Sequence, residues 1–430
     1  MTYHIAFLPI PAHGHVLPTL AVVEEMVRQG HRVTYLTTEE FAEAAASAGA
    51  DVVRYDSTWS APAILPNPTT ADDAARMRLM LLAESIATVP KAELRFADDL
   101  PDGLVYDTAT APAARMLARK WNRPAVQMFT GIASNECFSI AKVLARRFPE
   151  LGISLDHPSV REYHRKLLEF LQTHRMSAVP PEHFLISTEG LSLVFQPKAF
   201  HIAGGSFDGR YAFVGPCLAD RRFTNEWCPP PNVRSVVLIS LGTLYNHQEE
   251  FFRMCMRAFT GLSWHVVIAI GYRVMLTDLG PVPPNIEVHQ RVPQLAVLRH
   301  ARVFVSHVGM GSTMESLYFG TPIVAVPQTP EQDAVARRVE DLGLGRRISP
   351  AELSADGLRD AVLAVAADEA MLKRVRQMQR HVRDAGGPIR AVKEIEAFLG
   401  RARRGCPSEF PAAIRSIERR HWEISGGRGM

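Results

Sequence analysis

Short apolar runs rich in β-branched residues alternate with longer stretches of helical periodicity in both halves of the chain. Such alternation is typical of parallel sheets covered by helices. The first half predicts strands near His4–Leu8, Arg32–Thr37, Leu104–Tyr106 and Ala125–Phe129, and helices over Leu17–Gln29, Glu39–Ala48 and Pro112–Trp121. The second half predicts strands over Ser235–Ser240, Trp264–Ile270, Arg302–Ser306 and Ile323–Val326, and helices over Gln248–Phe259, Thr313–Phe319 and Gln332–Leu342. The pattern indicates an α/β fold of two Rossmann-like, doubly wound domains that face each other across a cleft.

A polar and proline-rich stretch separates the two halves. The charged run Asp220-Arg221-Arg222 is followed by Pro229-Pro230-Pro231, which forms a stiff spacer. Residues 57–99 and 132–190 interrupt the alternation, and insertions of this kind usually shape a pocket. The predicted divisions are residues 1–217, a linker at 218–234, residues 235–400 and an arginine-rich tail at 401–430 with room for a helix over Ile414–Trp422.

Composition excludes several classes of protein. The 430 residues carry 48 Lys and Arg against 45 Asp and Glu, a balance that does not suit a nucleic-acid-binding protein. No run approaches the ~20 apolar residues that cross a bilayer, and the first residues lack the basic start of a signal peptide. Five scattered cysteines favour free thiols. We expect a soluble cytoplasmic protein with small-molecule partners, and a homodimer remains open.

The loop after the first strand is the first candidate for chemistry. It contains His13, Gly14 and His15, and ligands of open α/β sheets bind beyond the carboxyl ends of the strands. One glycine is too few for a dinucleotide site, and two histidines are too few for a zinc site. A histidine suits a general base because its pKa of ~6.5 lets it accept a proton at neutral pH. The alternative is a pair of solvent-facing histidines.

Asp107 lies at the end of another predicted strand of the same sheet. An acid in that place can fix the tautomer of a histidine base and stabilise its charged form. The alternative is that Asp107 caps the helix that follows.

The second candidate is the segment 305–315, which is a strand end, a glycine loop and a helix start. The free N–H groups and the dipole of such a helix bind phosphate. Gly309 and Gly311 allow a close approach, Ser312 or Thr313 adds a hydroxyl donor, and His307 can donate to a phosphate oxygen. The alternative is a helix cap with glycines for tight packing.

Two further strand ends carry polar residues. Gly242 and Thr243 follow a strand and can supply a second phosphate contact. Glu331 and Gln332 follow another strand and offer acceptors and donors for a polyol, although Glu331 also suits the first turn of a helix.

Taken together, these motifs resemble the donor signature of the family 1 nucleotide-sugar-dependent glycosyltransferases of GT-B fold. Within that family the chain looks most like the bacterial macrolide and natural-product glycosyltransferases. The resemblance covers about residues 3 to 400. It is carried by His13-Gly14-His15-x-x-Pro18, Ser240-Leu241-Gly242-Thr243, Val292-Pro293-Gln294-Leu295, His307-x-Gly309-x-x-Ser312-x-x-Glu315, Gly320-x-Pro322, Pro327 and Glu331-Gln332.

The resemblance implies a role for each matching residue. His15 would deprotonate the acceptor hydroxyl, and Asp107 would orient it. His307 would bind a donor phosphate. The implied donor site further comprises Gly309, Gly311, Ser312 and Thr313 at the pyrophosphate, Gln294 and Val292 at the nucleobase, Glu315 at the ribose, and Glu331 with Gln332 at the sugar. The implied reaction is a direct displacement with inversion that needs neither a metal nor a cofactor beyond the nucleotide sugar.

Two departures bear on the donor. The family often has Trp three residues before Gln294, where this chain has Arg291, whose guanidinium can also stack on a base. The family often has Asp where this chain has Glu331. We expect UDP-glucose as donor, with a dTDP-deoxysugar as the alternative.

An apolar, hydroxylated acceptor would suit the segments near the cleft. The predicted acceptor contacts are Met77, Met80, Met128, Phe129 and Ile132. Two other functions remain possible on this fold, a nucleotide-sugar epimerase and a non-catalytic partner of a transferase.

Overall fold

The computed structural model describes residues 1–59, 70–152, 157–176, 188–219, 226–243 and 246–404. The predicted helix Ile414–Trp422 and the run Asp220-Arg221-Arg222 lie outside the described residues. Within them, the chain forms two sheets in which every strand pair is parallel. The predicted fold class is thereby confirmed.

The first sheet has seven strands in the order β3-β2-β1-β4-β5-β6-β7. They are β1 (His4–Leu8), β2 (Arg32–Thr37), β3 (Asp51–Arg54), β4 (Gly103–Asp107), β5 (Ala125–Phe129), β6 (Leu191–Val194) and β7 (Tyr211–Phe213). The described helices of this part are α1 (His13–Arg28), α2 (Glu39–Ser47), α3 (Ala71–Ala87), α4 (Val89–Arg95), α5 (Ala111–Trp121), α6 (Ile140–Arg147) and α7 (Pro158–Thr173). The order reverses at β1, so the carboxyl ends of β1 and β4 border a crevice.

The second sheet has six strands in the order β10-β9-β8-β11-β12-β13. They are β8 (Val236–Ser240), β9 (His265–Ala269), β10 (Ile286–His289), β11 (Ala301–Ser306), β12 (Ile323–Ala325) and β13 (Gly345–Arg347). The helices are α8 (Glu249–Phe259), α9 (Gln294–Leu298), α10 (Met310–Phe319), α11 (Pro330–Asp341), α12 (Ala355–Ala367), α13 (Glu369–Asp384) and α14 (Gly387–Arg403). The crevice of this sheet lies between β8 and β11.

Both faces of each sheet are buried, which explains the nearly continuous apolar character of the strands. In β1, Ile5 and Phe7 enter one hydrophobic core while Ala6 and Leu8 enter another on the opposite face. No helix in the described part of the chain is long and apolar enough to cross a membrane. The four cysteines that lie in it are free thiols, as predicted.

The last helix corrects the predicted domain division. Residues 235–400 were assigned to the second domain, but α14 leaves the second sheet and packs against α1. Its apolar side chains Val392, Ile395 and Phe398 complete a core of the first sheet. An amphipathic pattern predicts a helix but does not identify the sheet that covers it.

The two domains also share a core. Ile132 and Phe200 of the first domain pack in one cluster with residues of α10 and α11. Arg338 of α11 adds three polar contacts, because its guanidinium donates to the carbonyls of Ala199, Phe200 and His201 at 3.1, 2.7 and 3.0 Å. These contacts attach α11 to the segment that follows β6.

Candidate active site

A histidine and an aspartate form a hydrogen-bonded pair at the crevice of the first sheet. His15 lies in the first turn of α1, and Asp107 is the last residue of β4. The distance from Nδ1 of His15 to Oδ2 of Asp107 is 2.6 Å. The other carboxylate oxygen accepts from the backbone N–H of Ala109 at 2.9 Å. Asp107 therefore caps the short turn Thr108–Thr110 and not α5, which was the alternative prediction, and its hydrogen bond to His15 is the contact that an orienting role requires.

The surroundings of His15 favour its protonated form. Burial lowers the pKa of His15, but the charge of Asp107 and the hydrogen bond to it outweigh burial, and the pKa is raised above the ordinary value of 6.5. The charge of Glu331 in the facing domain acts in the same direction. His15 is 39% exposed while Asp107 is 1% exposed, so the acid is inside and the base faces the cleft.

His13 points elsewhere. Its Nδ1 lies 3.7 Å from a carboxylate oxygen of Glu40, and its ring packs edge-on against Phe41. Burial lowers the pKa of His13. Within the described ranges, no group of three or more His, Cys, Asp or Glu side chains has the arrangement of a metal site. Of the two histidines, His15 alone is paired with Asp107.

Two residues after β5 were missed by the sequence analysis. The hydroxyl oxygen of Thr130 lies 3.0 Å from Nδ1 of His15. A Cβ added to Gly131 would lie 2.7 Å from Oε1 of Glu331, so the facing domain approaches closest where side-chain bulk is lowest. Asp107 was predicted by the strand-end rule, that ligands bind beyond the carboxyl ends of parallel strands. The same rule applies to Thr130 and Gly131, which directly follow β5.

In the second domain, the ring of His307 is held between two glycines. A Cβ on Gly242 would lie 2.5 Å from Cε1 of His307, and a Cβ on Gly309 would lie 2.6 Å from its Nε2. Gly309 was predicted to let the backbone approach a phosphate and Gly242 to supply a second phosphate contact, and in the structure both glycines make room for the imidazole. Gly242 also has a φ of +77°, which disfavours any other residue.

His307 is uncharged at neutral pH because burial lowers its pKa to about 4. It directly precedes Val308, a β-branched residue with the unusual φ of +57°. Next begins α10, whose N-cap Gly309 has no capping side chain. The N–H groups of that first turn have no partners within the helix, so this end attracts an anion.

The side chains of α9 and α10 lie in contact. Nε2 of Gln294 donates to Oε2 of Glu315 at 2.5 Å and lies 3.4 Å from Oγ of Ser312. The predicted base and ribose positions are therefore neighbours. Thr313 was predicted to offer its hydroxyl to the pyrophosphate. In the structure its side chain is buried and the hydroxyl donates to the carbonyl of Gly309 at 3.0 Å, which corrects the prediction. Ser312 is left as the hydroxyl of this turn that faces Gln294, and Gly311 has open space around it.

Arg291 lies at the predicted nucleobase position. It lines an open cavity of about 470 Å³ with Glu226, Val292 and Pro293. Its guanidinium carbon lies 6.0 Å from the ring centre of Tyr272, which is 66% exposed. A cation thus borders this cavity and lies next to an exposed aromatic ring, where the family often has one Trp. Thr243 is exposed at the end of the Gly242 loop.

Glu331 and Gln332 begin α11 at the carboxyl end of β12. Thr329 caps this helix by accepting from the backbone N–H of Gln332 at 3.2 Å. Oε1 of Gln332 accepts from the backbone N–H of Gln328 at 2.7 Å, which fixes the orientation of the amide. Desolvation in the cleft raises the pKa of the Glu331 carboxyl, and a positive charge on His15 opposes this shift.

The predicted acceptor residues divide into two groups. Met77 and Met80 are partly exposed on α3. Met128 is fully buried between the sheet and its helices, and Phe129 and Ile132 are nearly so. These three residues belong to hydrophobic cores, so their side chains expose little surface to an acceptor. A residue in the middle of a parallel strand has no solvent-facing side.

The comparisons with known proteins agree with this geometry. A family model described as "Erythromycin biosynthesis protein CIII-like, C-terminal domain" matches residues 253–398. The NDP-glycosyltransferase YjiC of Bacillus subtilis is 39% identical over 398 residues, covering 92% of this chain and 97% of the relative. The oleandomycin glycosyltransferase of Streptomyces antibioticus is 36% identical over 436 residues, covering 97% of each.

A solved structure gives the same result at the level of the fold. The calicheamicin glycosyltransferase CalG4 superposes with a TM-score of 0.83 at 39% identity, covering 93% of this chain and 99% of that one. The relatives and the solved structure cover nearly the whole chain and agree on one family. The chain therefore belongs to the GT-B glycosyltransferases that include the macrolide glycosyltransferases, and it is a glycosyltransferase.

Proposed function

We propose that the chain transfers a hexose, with inversion, from a nucleotide sugar to a hydroxyl of an apolar natural product such as a macrolide or polyketide. UDP-glucose is the favoured donor, and no metal or further cofactor takes part. The observation that carries the proposal is the pair of His15 and Asp107, which faces Glu331 and the anion-binding end of α10 across the cleft.

The base acts through Nε2. Because Nδ1 of His15 donates to Asp107, the neutral ring carries its lone pair on Nε2. That nitrogen takes the proton of the acceptor hydroxyl as its oxygen attacks the anomeric carbon. Asp107 stabilises the imidazolium that results, and a base of this kind contributes about 10²–10⁴-fold.

The leaving group departs on the other side of the cleft. As the new bond forms, the bond from the anomeric carbon to the phosphate oxygen breaks, and its electron pair stays with the nucleoside diphosphate. The N–H groups at the start of α10 and the neutral His307 stabilise this charge. The base and the leaving group lie in different domains, which supports a direct displacement with inversion. Glu331 and Gln332 would hold the sugar hydroxyls between them.

The nucleobase end supports either of two pyrimidine nucleotides. Arg291 and Tyr272 offer a guanidinium and an aromatic face in place of an indole. Because the methyl group of thymine adds apolar contact without changing the base edge, we keep a dTDP-deoxysugar as the alternative donor. Met77 and Met80 suit the apolar acceptor because methionine adapts to irregular apolar shapes.

The test replaces each histidine in turn. His15→Ala is expected to lower turnover of a macrolide acceptor by at least ~10²-fold while nucleotide binding, measured by calorimetry, is kept. His13→Ala is the matched control from the same helical turn, and its activity should stay near that of the wild type. Near-normal turnover of His15→Ala would contradict the proposal.

The same assay separates the alternatives. An epimerase would convert UDP-glucose when no acceptor is present, whereas a transferase releases UDP only with one. A non-catalytic partner would bind nucleotide or aglycone but release no UDP under either condition. Running the assay with UDP-glucose and a dTDP-sugar in parallel identifies the donor.

A further inference from the structure

A buried asparagine that was not predicted as a site residue connects the phosphate end of the donor site with its nucleobase end. Asn246 precedes α8 and is only 2% exposed. Its Nδ2 donates to the carbonyl of Gly242 at 2.8 Å. Its Oδ1 is buried and has no hydrogen-bond partner in the part of the chain that the structure describes. Buried amides normally satisfy both ends, so this residue is not explained by hydrogen bonding in the core alone.

On its other side, the same amide lies against the loop that follows β9. A Cβ on Gly271 would lie 1.9 Å from Nδ2 of Asn246, so the two groups are in direct contact. Gly271 has a φ of +75° and donates its N–H to the carbonyl of Gln290 at 3.0 Å. Gly271 is followed by Tyr272, and Gln290 is followed by Arg291. These are the two side chains proposed to contact the nucleobase.

These contacts form one continuous stack across the donor site. Gly271 touches Asn246, Asn246 is bonded to Gly242, and Gly242 touches His307. The loops involved come from the carboxyl ends of β8, β9 and β11, which are neighbouring strands. A shift of the asparagine would therefore move the loop at the phosphate end and the loop at the nucleobase end together.

We propose that Asn246 is a positioning residue of the donor site, which sets the spacing between the phosphate-binding loop of Gly242 and His307 and the nucleobase loop of Gly271 and Tyr272. The proposal rests on the proposed function. Asn246 touches neither reacting atom, and its effect is on donor affinity and not on proton transfer.

The chain offers a matched control. Asn285 also ties backbone segments together, since its Nδ2 donates to the carbonyls of Phe259, Leu262 and Trp264 at 2.9, 3.3 and 3.0 Å. It precedes β10, at the end of the second sheet opposite to the donor loops. Substitution of either asparagine removes a comparable cross-link, but only one of them reaches the site.

The experiment compares Asn246→Ala and Asn246→Asp with Asn285→Ala in the full-length protein. The first two should raise the Kd for UDP, measured by calorimetry, and the KM for UDP-glucose about tenfold, which is ~1.4 kcal/mol. The KM for the acceptor and kcat at saturating donor should change less than twofold. Asn285→Ala should lower the melting temperature and leave the Kd for UDP unchanged.

A double substitution tests the stack directly. Gly271→Ala alone should weaken UDP binding because its Cβ displaces the amide. Combined with Asn246→Ala, the loss of UDP affinity should be smaller than the sum of the two single losses, since the smaller side chain leaves room for the Cβ and only the backbone strain of alanine at a φ of +75° remains. Additive losses would overturn the stack as the route.

The outcomes separate this inference from the proposed function. If the wild type binds UDP and the Asn246 variants bind it equally well, the positioning role is wrong and the proposed function stands. Equal losses in Asn285→Ala would mean that a general loss of stability is responsible, which also overturns the role. If the wild type binds neither UDP nor TDP, the proposed function itself fails.

Discussion

Each domain presents a site histidine at the crevice of its sheet, and the pKa values of the two histidines are shifted in opposite directions. His15 has Asp107 as a hydrogen-bond partner, and its pKa is raised above 6.5. His307 lies between Gly242 and Gly309, and burial lowers its pKa to about 4. The two crevices thus present a proton acceptor with a charged partner and a neutral hydrogen-bond donor without one.

The difference follows from what surrounds each ring. A carboxylate within hydrogen-bond distance stabilises the imidazolium, whereas contact with two glycine backbones removes water and supplies no charge. A base must become charged during the reaction, and a phosphate ligand need not. The comparison therefore predicts that changes around His15 affect proton transfer, and that changes around His307 affect donor binding.

The largest expected effect comes from removing the charge beside His15. Asp107→Asn keeps an oxygen for the N–H of Ala109 but presents an amide to Nδ1 of His15, which favours the wrong tautomer. We expect kcat/KM to fall by ~10²-fold or more. The donor Kd should stay within twofold, and an equal loss of both would contradict the separation of roles.

The pH dependence gives the sign of the same effect. In the wild type, activity should rise with pH as His15 loses its proton, with a midpoint above 6.5 because Asp107 raises that pKa. Without the charge of Asp107, burial lowers the pKa, so the residual activity of Asp107→Asn should have its midpoint at lower pH. Profiles of kcat/KM between pH 5 and 9 measure both midpoints. A midpoint that does not move would exclude His15 as the titrating base.

A smaller effect is expected from crowding His307. Gly309→Ala places a Cβ 2.6 Å from Nε2 of His307 if nothing moves, so the ring must shift. We expect the KM for the donor to rise about tenfold, which is ~1.4 kcal/mol, with the acceptor KM unchanged. The melting temperature is measured in parallel, because a substitution that disturbs α10 as a whole lowers it, whereas a shift of the imidazole alone does not. A lowered melting temperature with an equal rise in the acceptor KM would indicate a change in the helix and not in the histidine.

The strand-end rule explains how far the sequence leads to this site. Parallel strands bring their carboxyl ends to one edge, so Asp107 and His307 were predicted as site residues from position, whereas the choice of His15 over His13 came from the family resemblance. The start of α1 was predicted too late, at Leu17, because Pro18 suggested a loop. The helix begins at His13 and contains Pro18 in its second turn, where proline has no N–H to donate to the carbonyl of Gly14.

Contacts between distant loops could not be predicted in this way. Gly242 and His307 are far apart in sequence, and their spacing does not show that one makes room for the other. Asn246 had no signal, since its partners Gly242 and Gly271 meet only in the folded chain. Met128 is different, because its place in a short strand of a parallel sheet already indicated a buried residue.

The smallest expected effect is a binding constant for the donor that does not depend on pH. Because the pKa of His307 is about 4, it stays neutral between pH 5.5 and 8, and binding of UDP-glucose should change less than twofold over that range. The measurement is calorimetry on His15→Ala, which removes the other titrating histidine, with and without Glu331→Gln to account for that carboxylate. UDP-glucose is preferred to UDP because a free terminal phosphate itself titrates near ~6. Binding that strengthens several-fold as the pH falls, in both variants, would mean that His307 takes up a proton when the donor binds. Both histidines would then become charged during the catalytic cycle, and the contrast between them would be wrong.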